Sequence, residues 1–181
     1  MRRASRRPRP PLDDGKLNEL MLAYVARFAT SRAKLAAYLD RKIRERGWSG
    51  DSEPPVAELV AKAAGNGFVD DAAYALGKAR SLTARGYGTR RVAQSLQAAG
   101  IGEGDGEAAL AHARNVQVEA ALRFARRRRF GPFANSVPDH PLKERQLAAM
   151  IRGGHDFKLA KTIVSLPPGA EVSVQMLEDA C

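Results

Sequence analysis

Apolar residues recur along this chain with the period of an α-helix, starting at Lys16. The first stripe has the i, i+3, i+4, i+7 spacing of one helix face and comprises Leu17, Leu20, Met21, Tyr24, Val25, Phe28 and Ala29. A second helix is predicted after the cap residues Thr30 and Ser31, and it runs to Gly47. A third begins at Pro54 and Pro55, where missing N–H groups cost little. Sustained alternation of apolar and polar residues is absent from the sequence, so the predicted fold class is all-α.

The helical pattern continues through two further sets of three helices. The predicted helices of the second set cover residues 71–84, 89–99 and 107–115, and those of the third cover 116–129, 139–152 and 156–166. Residues 100–106 include four glycines and predict a flexible connector. Leu39, Leu96 and Ile151 lie 57 and 55 residues apart, each late in the second helix of its set. This period predicts an elongated tandem array of three three-helix repeats, over residues 16–68, 69–115 and 116–166.

Both ends of the chain fall outside the predicted repeats. Residues 1–15 begin with five arginines and three prolines among the first eleven positions, which predicts a disordered basic arm. An apolar segment does not follow, so this arm is not a secretory signal. Residues 167–181 begin with two prolines and a glycine and predict a poorly ordered tail. The single cysteine, Cys181, lies on that tail, which excludes a disulfide within the chain and a cysteine-rich zinc site.

The charge of the chain indicates a polyanionic partner. Thirty Lys and Arg residues face twenty Asp and Glu residues, and the formal net charge is +10. Such an excess favours nucleic acid or an acidic protein surface. The 44% hydrophobic and 28% charged content is typical of a folded soluble protein, and the sequence contains no run of about 18 apolar residues that could span a bilayer. We expect a monomer in a reducing cytoplasm, without a membrane partner.

The candidates for chemistry are few. Asp70 and Asp71 lie at a predicted helix start, where acidic side chains satisfy free N–H groups. The functional alternative is that the two carboxylates bind a metal or act as an acid/base pair. His112, His140 and His155 lack metal-ligand spacing, and we expect surface or capping roles for them. A nucleophile motif and a phosphate-binding glycine loop are both missing from the sequence. We therefore predict no catalytic residue, no metal, no cofactor and no enzymatic activity.

The candidate partner-binding or DNA-binding residues are basic. Arg85, Arg90 and Arg91 flank a turn of Gly86, Tyr87 and Gly88, and either a solvated loop or an anionic partner explains them. The densest run comprises Arg126, Arg127, Arg128 and Arg129. These four positions span more than one helical turn, so they cannot all face one phosphate strand, and cations near a helix C-terminus are also favoured by its dipole. Lys143 and Arg145 are weaker candidates of the same kind.

Three segments resemble one protein family. Residues 67–75 read GFVDDAAYA, and upstream the pattern SRAKL begins at Ser31 and is followed by Leu39. Downstream, Arg80, the segment RGYG from Arg85, and then RRV, Leu96, Gly100 and Ile101 complete the pattern. Together they resemble the RecX family of regulators of the bacterial RecA recombinase, over about residues 17–166. Lys34 replaces the acidic residue usual at its position in that family.

The resemblance implies both a fold and a function. RecX proteins are chains of three-helix repeats that bind the RecA filament on single-stranded DNA along its groove. They limit filament growth and lower the recombinase, ATPase and co-protease activities, the last of which triggers the SOS response. The partners implied are the RecA filament and single- or double-stranded DNA bound with low sequence specificity. The alternative is a general basic DNA-binding protein with a helix-turn-helix unit, in which Thr89, Arg90 and Gln94 would face the bases.

Overall fold

A computed structural model of the chain describes residues 10–179, and within that range the fold is all-helical, as predicted. One isolated β-bridge joins Leu12 to Trp48. The α-helices are α1 Asp14–Val25, α2 Arg32–Arg46, α3 Val56–Gly65, α4 Asp71–Ala84, α5 Thr89–Gln97, α6 Glu103–Asn115, α7 Gln117–Arg128, α8 His140–Arg152, α9 Phe157–Ser165 and α10 Val174–Asp179. A short 3-10 helix, Gly131–Phe133, follows α7.

The chain divides into two compact units, and the division falls within α4 between Tyr74 and Ala75. Each unit has its own apolar interior. The grouping of the helices into three repeats, over residues 16–68, 69–115 and 116–166, stays a prediction.

The first unit has one core, built by α1, α2 and α3. Its buried residues are Leu12, Leu17, Met21, Leu35, Leu39, Leu59, Ala63 and Val69. Leu17 and Met21 belong to the first predicted stripe, and they are buried together because residues spaced by three or four lie on one helix face. The first stripe is shorter than predicted, because α1 ends at Val25 and Phe28 is exposed.

Leu12 shows that the fold begins earlier than residue 16. Its side chain is fully buried, and its N–H donates to the carbonyl oxygen of Gly47 at 2.9 Å. Asp13 then caps α1 by accepting from the backbone N–H of Lys16 at 2.8 Å. Residues 10–15 therefore belong to the first unit and differ from the predicted disordered arm, and the rest of that arm lies outside the described residues.

The two acids at the start of α4 cap two different helices. Asp70 accepts from the backbone N–H of Ala73 at 2.8 Å, which confirms the capping prediction at that position. Asp71 is buried and instead accepts from the backbone N–H of Arg32 at 2.9 Å, at the beginning of α2. Ser31 caps the same end of α2 through Lys34, whose Nζ lies 3.2 Å from the hydroxyl of Tyr74. The family-like segments at residues 31–35 and 67–75 thus interlock.

The second unit has two apolar clusters. The cluster of α4, α5 and α6 comprises Ala75, Ala79, Leu82, Val92, Leu96, Ala109 and Ala113. The cluster of α7, α8, α9 and α10 comprises Val118, Ala121, Phe124, Ala125, Met150, Leu159, Ala160, Ile163, Val164 and Leu177. Leu177 corrects the prediction for the tail, because α10 buries this residue completely. Cys181 lies outside the described residues.

The glycine-rich segment at residues 100–106 is not a flexible connector throughout. Helix α6 begins at Glu103, twelve residues before Asn115, and has acidic side chains in its first turn, where the helix dipole favours them. Gly106 is buried and faces Ile101 and Leu96, so a small residue fits that position. Packing against the second-unit core therefore overrides the low helix propensity of glycine.

Candidate basic interface

The turn between α4 and α5 is fixed by backbone contacts with a second glycine turn at Gly153 and Gly154. The N–H of Gly88 donates to the carbonyl oxygen of Gly153 at 2.9 Å, and the N–H of Arg90 donates to that of Gly154 at 3.1 Å. A Cβ at Gly88 would collide with the carbonyl of Gly154, and a Cβ at Gly154 would collide with the backbone of Arg91. The two turns approach this closely because both positions are glycine.

His155 holds the same turn from inside the second unit. Its imidazole is 2% exposed, lies edge-on to the ring of Phe124, and its Nε2 lies 3.1 Å from the carbonyl oxygen of Gly86. Because a carbonyl only accepts, Nε2 carries the hydrogen. Burial lowers the pKa of His155 from 6.5 to about 4, and the hydrogen bond to Gly86 opposes this only in part. The expected surface or capping role is therefore wrong for His155, which is a neutral interior side chain at pH 7.

Three cationic side chains line one cleft between α4 and α5. Lys78, Arg85 and Arg91 surround a volume of about 380 Å³, which we call the basic cleft. Its remaining lining residues are Leu82, Tyr87, Gln94, Ser95 and Ala98. None of these residues is acidic. In the part of the chain that the structure describes, the three cations form no ion pair with a carboxylate. The positive charge of the cleft is therefore uncompensated by neighbouring side chains.

Arg127, on α7, contacts two of the residues that line the basic cleft. Its Nη1 donates to the carbonyl oxygen of Arg85 at 2.7 Å. The guanidinium carbons of Arg85 and Arg127 lie 5.7 and 6.0 Å from the centroid of the Tyr87 ring. These distances are typical of cation–π contacts. Arg127, 42 positions downstream of Arg85, thus supports the turn that presents Arg85.

Arg90 is separated from its neighbour Arg91. Successive helical residues are rotated by about 100°, so adjacent side chains leave the helix in different directions. Arg90 lines a second cleft of about 220 Å³ together with Arg114, Gln117 and Asp156. Of the three arginines predicted around the turn, the structure brings Arg85 and Arg91 together and places Arg90 elsewhere.

The arginine run at the end of α7 also diverges. Arg126 lies over the ring of Phe133 at 4.9 Å, whereas Arg128 lies over that of Phe124 at 5.5 Å. Arg129 ends the helix in the left-handed conformation with φ of 56°. Only Arg127 of this run contacts the turn that carries the basic cleft.

The remaining predicted candidates lie on α8. Two further cationic residues line the clefts without having been predicted from the sequence. Lys143 and Arg145 belong to α8 and line neither cleft. Lys78 and Arg114 were not among the predicted site residues. Lys78 had a usable signal, because Lys78 and Leu82 are four residues apart and so share one face of α4, and Arg85 follows three residues later, just beyond the end of that helix.

The amino-terminal end of α5 is covered, which weighs against its use as a DNA-recognition helix. The Thr89 hydroxyl donates to the carbonyl oxygen of Ala113 at 3.2 Å, and the backbone of Arg90 is bonded to Gly154. A recognition helix instead presents its first residues to base edges.

Residues 10–179 lack two other classes of site. No helix there is both long and apolar enough to cross a membrane. The same range contains no group of three His, Cys, Asp or Glu side chains arranged to hold a metal ion.

A family model and two related proteins match this chain. A family model described as "RecX, second three-helix domain" matches residues 70–110. The regulatory protein RecX of Myxococcus xanthus is 34% identical over 174 residues, which are 92% of this chain and 92% of the relative. The regulatory protein RecX of Agrobacterium fabrum is 33% identical over 112 residues, which are 62% of this chain and 59% of the relative.

Two solved structures share the fold. A crystal structure of regulatory protein RecX superposes with a TM-score of 0.61 at 22% identity, covering 83% of this chain and 70% of the other. The crystal structure of RecX from Lactobacillus salivarius gives a TM-score of 0.64 at 18% identity, covering 83% of this chain and 93% of the other. At these identities the superpositions support the fold alone.

Proposed function

This chain belongs to the RecX family of regulatory proteins, and from that premise we propose that it binds the RecA filament on single-stranded DNA and limits its growth. The observation that carries the proposal is the 34% identity to the Myxococcus xanthus regulatory protein over 92% of both chains. In this proposal the protein occupies the groove of the filament as a monomer in the cytoplasm. It lowers the recombinase, ATPase and co-protease activities, and with them the SOS response.

Binding can change filament growth only if the protein distinguishes two states of RecA. A ligand shifts an equilibrium by its differential affinity for the two states. A protein that contacts neighbouring RecA protomers binds the assembled filament better than the free protomer. If it binds filament ends as well, it blocks the addition of further protomers. The formal charge of +10 supports attraction to a nucleoprotein surface rich in phosphates.

The basic cleft is the surface that we assign to this contact. Its three cations form no ion pair among the described residues, and its turn is held in place by Arg127 and His155. A preorganised charged surface loses little conformational entropy on binding. Arg126, Arg128, Arg129, Lys143 and Arg145 add to the basic surface as further candidates, whereas Arg90 lines a separate cleft with Asp156.

RecA ATPase on single-stranded DNA tests the proposal directly. We expect micromolar protein in moderate salt to lower the steady-state ATPase rate, and pre-formed filaments to shorten in electron micrographs. The variant Arg91→Gln should inhibit less than wild type, whereas Arg44→Gln on α2 removes the same charge elsewhere and should inhibit normally. An unchanged ATPase rate across the whole titration would refute the proposal.

The helix-turn-helix alternative makes a different prediction. It requires tight, sequence-selective binding to bare duplex DNA in a gel-shift assay. Our proposal expects only weak binding to duplex that disappears as salt increases.

A further inference from the structure

We propose that the basic cleft binds the phosphate group of a nucleotide, with Lys78, Arg85 and Arg91 donating to its oxygens. This inference rests on the proposed function, because that function brings a nucleic acid into contact with the cleft. The binding itself does not require RecA, so the two proposals can fail separately.

Charge is the first argument. Three cations line one cleft of about 380 Å³ that has no acidic lining residue. Like charges held close together destabilise the folded protein unless water or an anion screens them. Arg41 and Lys42 of the first unit differ in this respect, because both pair with Glu45. The basic cleft therefore has the electrostatics of an anion site.

The donor set favours phosphate over carboxylate. Two guanidinium groups and one ammonium group supply donors, and Gln94 and Ser95 add neutral polar groups. A phosphate presents more acceptor oxygens than a carboxylate, and arginine forms bidentate bonds to it. A carboxylate holds its two oxygens in one plane, whereas the oxygens around phosphorus are arranged tetrahedrally, so a phosphate can accept from donors in more directions.

The size and walls of the cleft indicate how much of the ligand enters. A volume of about 380 Å³ lies at the lower end of the range for small-molecule sites, roughly 300–1,000 Å³. This volume accommodates one nucleotide rather than a duplex. The Tyr87 ring is already flanked by Arg85 and Arg127, so it serves as a wall and not as a free stacking surface for a base. Recognition of the phosphate without the base predicts little sequence preference.

The neighbouring cleft provides a matched control within the same helix. Arg90 lines a smaller cleft of about 220 Å³ that is also lined by the acidic residue Asp156. Arg90→Gln and Arg91→Gln remove the same charge at adjacent, exposed positions of α5. A purely nonspecific electrostatic attraction would respond equally to both substitutions, whereas a phosphate site in the basic cleft responds to Arg91→Gln alone.

The experiment measures binding by the full chain without RecA. A fluorescein-labelled oligo-dT is titrated by anisotropy at several salt concentrations, and ATP, inorganic triphosphate and polyglutamate compete for it. We expect Lys78→Gln and Arg91→Gln each to weaken binding about tenfold, the effect of losing one charged hydrogen bond. Each should also reduce the slope of log K against log salt by about 0.7. Arg90→Gln should change affinity by less than about twofold.

The competitors distinguish the sources of the phosphate. Displacement by ATP and inorganic triphosphate identifies a site that accepts free phosphorylated ligands, whereas failure of both to displace oligo-dT identifies a site for the nucleic-acid strand. Both results support the proposal as long as the Arg91→Gln effect is present. Equal effects of Arg90→Gln and Arg91→Gln, displacement by polyglutamate as effective as by triphosphate, or no binding of oligo-dT by wild type would each overturn it. Thermal unfolding by circular dichroism confirms that the variants are folded.

Discussion

Acidification below pH 6.5 should destabilise the second unit through His155. The imidazole is buried, donates Nε2–H to Gly86, and lies against Phe124, so a protonated ring would bring an unpaired charge into the interior. Burial lowers the pKa of His155 to about 4 in the folded protein, against 6.5 in the unfolded chain. Between these two values the unfolded chain binds more protons. The stabilisation is therefore complete above pH 6.5 and is lost as the pH falls towards 4.

The size of the effect follows from the two pKa values. Each pH unit between them changes the free energy of unfolding by about 1.4 kcal/mol, so the full change is about 3 kcal/mol. That loss is large beside the total stability of a typical domain, about 5–15 kcal/mol. The first unit supplies an internal reference, because all three histidines of the sequence lie beyond Tyr74.

Urea unfolding at about pH 7 and about pH 4.5 measures this change. Circular dichroism follows all helices, whereas the fluorescence of Trp48, the single tryptophan, follows the first unit. We expect the circular dichroism transition of wild type to shift to lower urea at the acidic pH by more than that of His155→Gln, which lacks the titrating ring. The Trp48 transition should shift equally in both proteins. An NMR titration of the His155 ring with a midpoint near 6.5, or equal pH dependence in the two proteins, would refute the reasoning.

The capping, packing and backbone contacts give further predictions, each checked by urea unfolding. Asp71→Ala removes the buried acceptor for the Arg32 N–H and should cost about 1–2 kcal/mol, seen in the Trp48 transition. Gly88→Ala places a Cβ against the Gly154 carbonyl and should lower the free energy of unfolding by more than about 3 kcal/mol or prevent folding. As its control, Gly104→Ala lies in α6 with open space around it and should raise the free energy of unfolding by up to about 1 kcal/mol. Leu177→Ala empties a fully buried position and should cost about 2–5 kcal/mol; no loss would mean that α10 does not pack as described.

The helices were predictable because their signal is local. The pattern over residues 156–166 predicted a helix that the structure places at Phe157–Ser165, and residues 139–152 predicted His140–Arg152. Apolar residues three and four positions apart share a helix face whatever the rest of the chain does. The all-helical fold and the family resemblance were both confirmed for the same reason, since they depend on short segments.

The ends of the fold were not predictable because they are held in place by tertiary contacts with residues that are distant in the sequence. Leu12 is a single apolar residue between prolines and aspartates, and Leu177 belongs to an apolar segment, residues 172–177, that is too short to show a helical stripe. Leu12 is buried because its backbone bonds to Gly47 and Ser49, which lie more than 30 residues away. Leu177 is buried in the apolar cluster that also includes residues of α7, α8 and α9. Local patterns contain no information about such distant partners.

The candidate site was predictable in its composition and not in its grouping. The basic character around the turn was visible in the sequence, but the separation of Arg90 from Arg91 depends on where α5 begins and how it packs. The buried state of His155 depends on Gly86, 69 positions earlier in the chain. A list of arginines therefore identifies candidates, whereas the fold decides which of them share a cleft.

The second-unit core also positions the basic cleft, which couples stability to binding in a specific way. Arg127 and His155 contact the Tyr87 turn, and both are attached to elements that build the cluster around Phe124. Loss of packing in that cluster should therefore displace Arg85 without removing any charge. The first-unit core contributes no residue to these contacts. Core substitutions in the second unit should therefore weaken phosphate binding, whereas substitutions in the first-unit core that destabilise the protein to the same extent should not. An effect of net charge alone would not distinguish the two sets of variants.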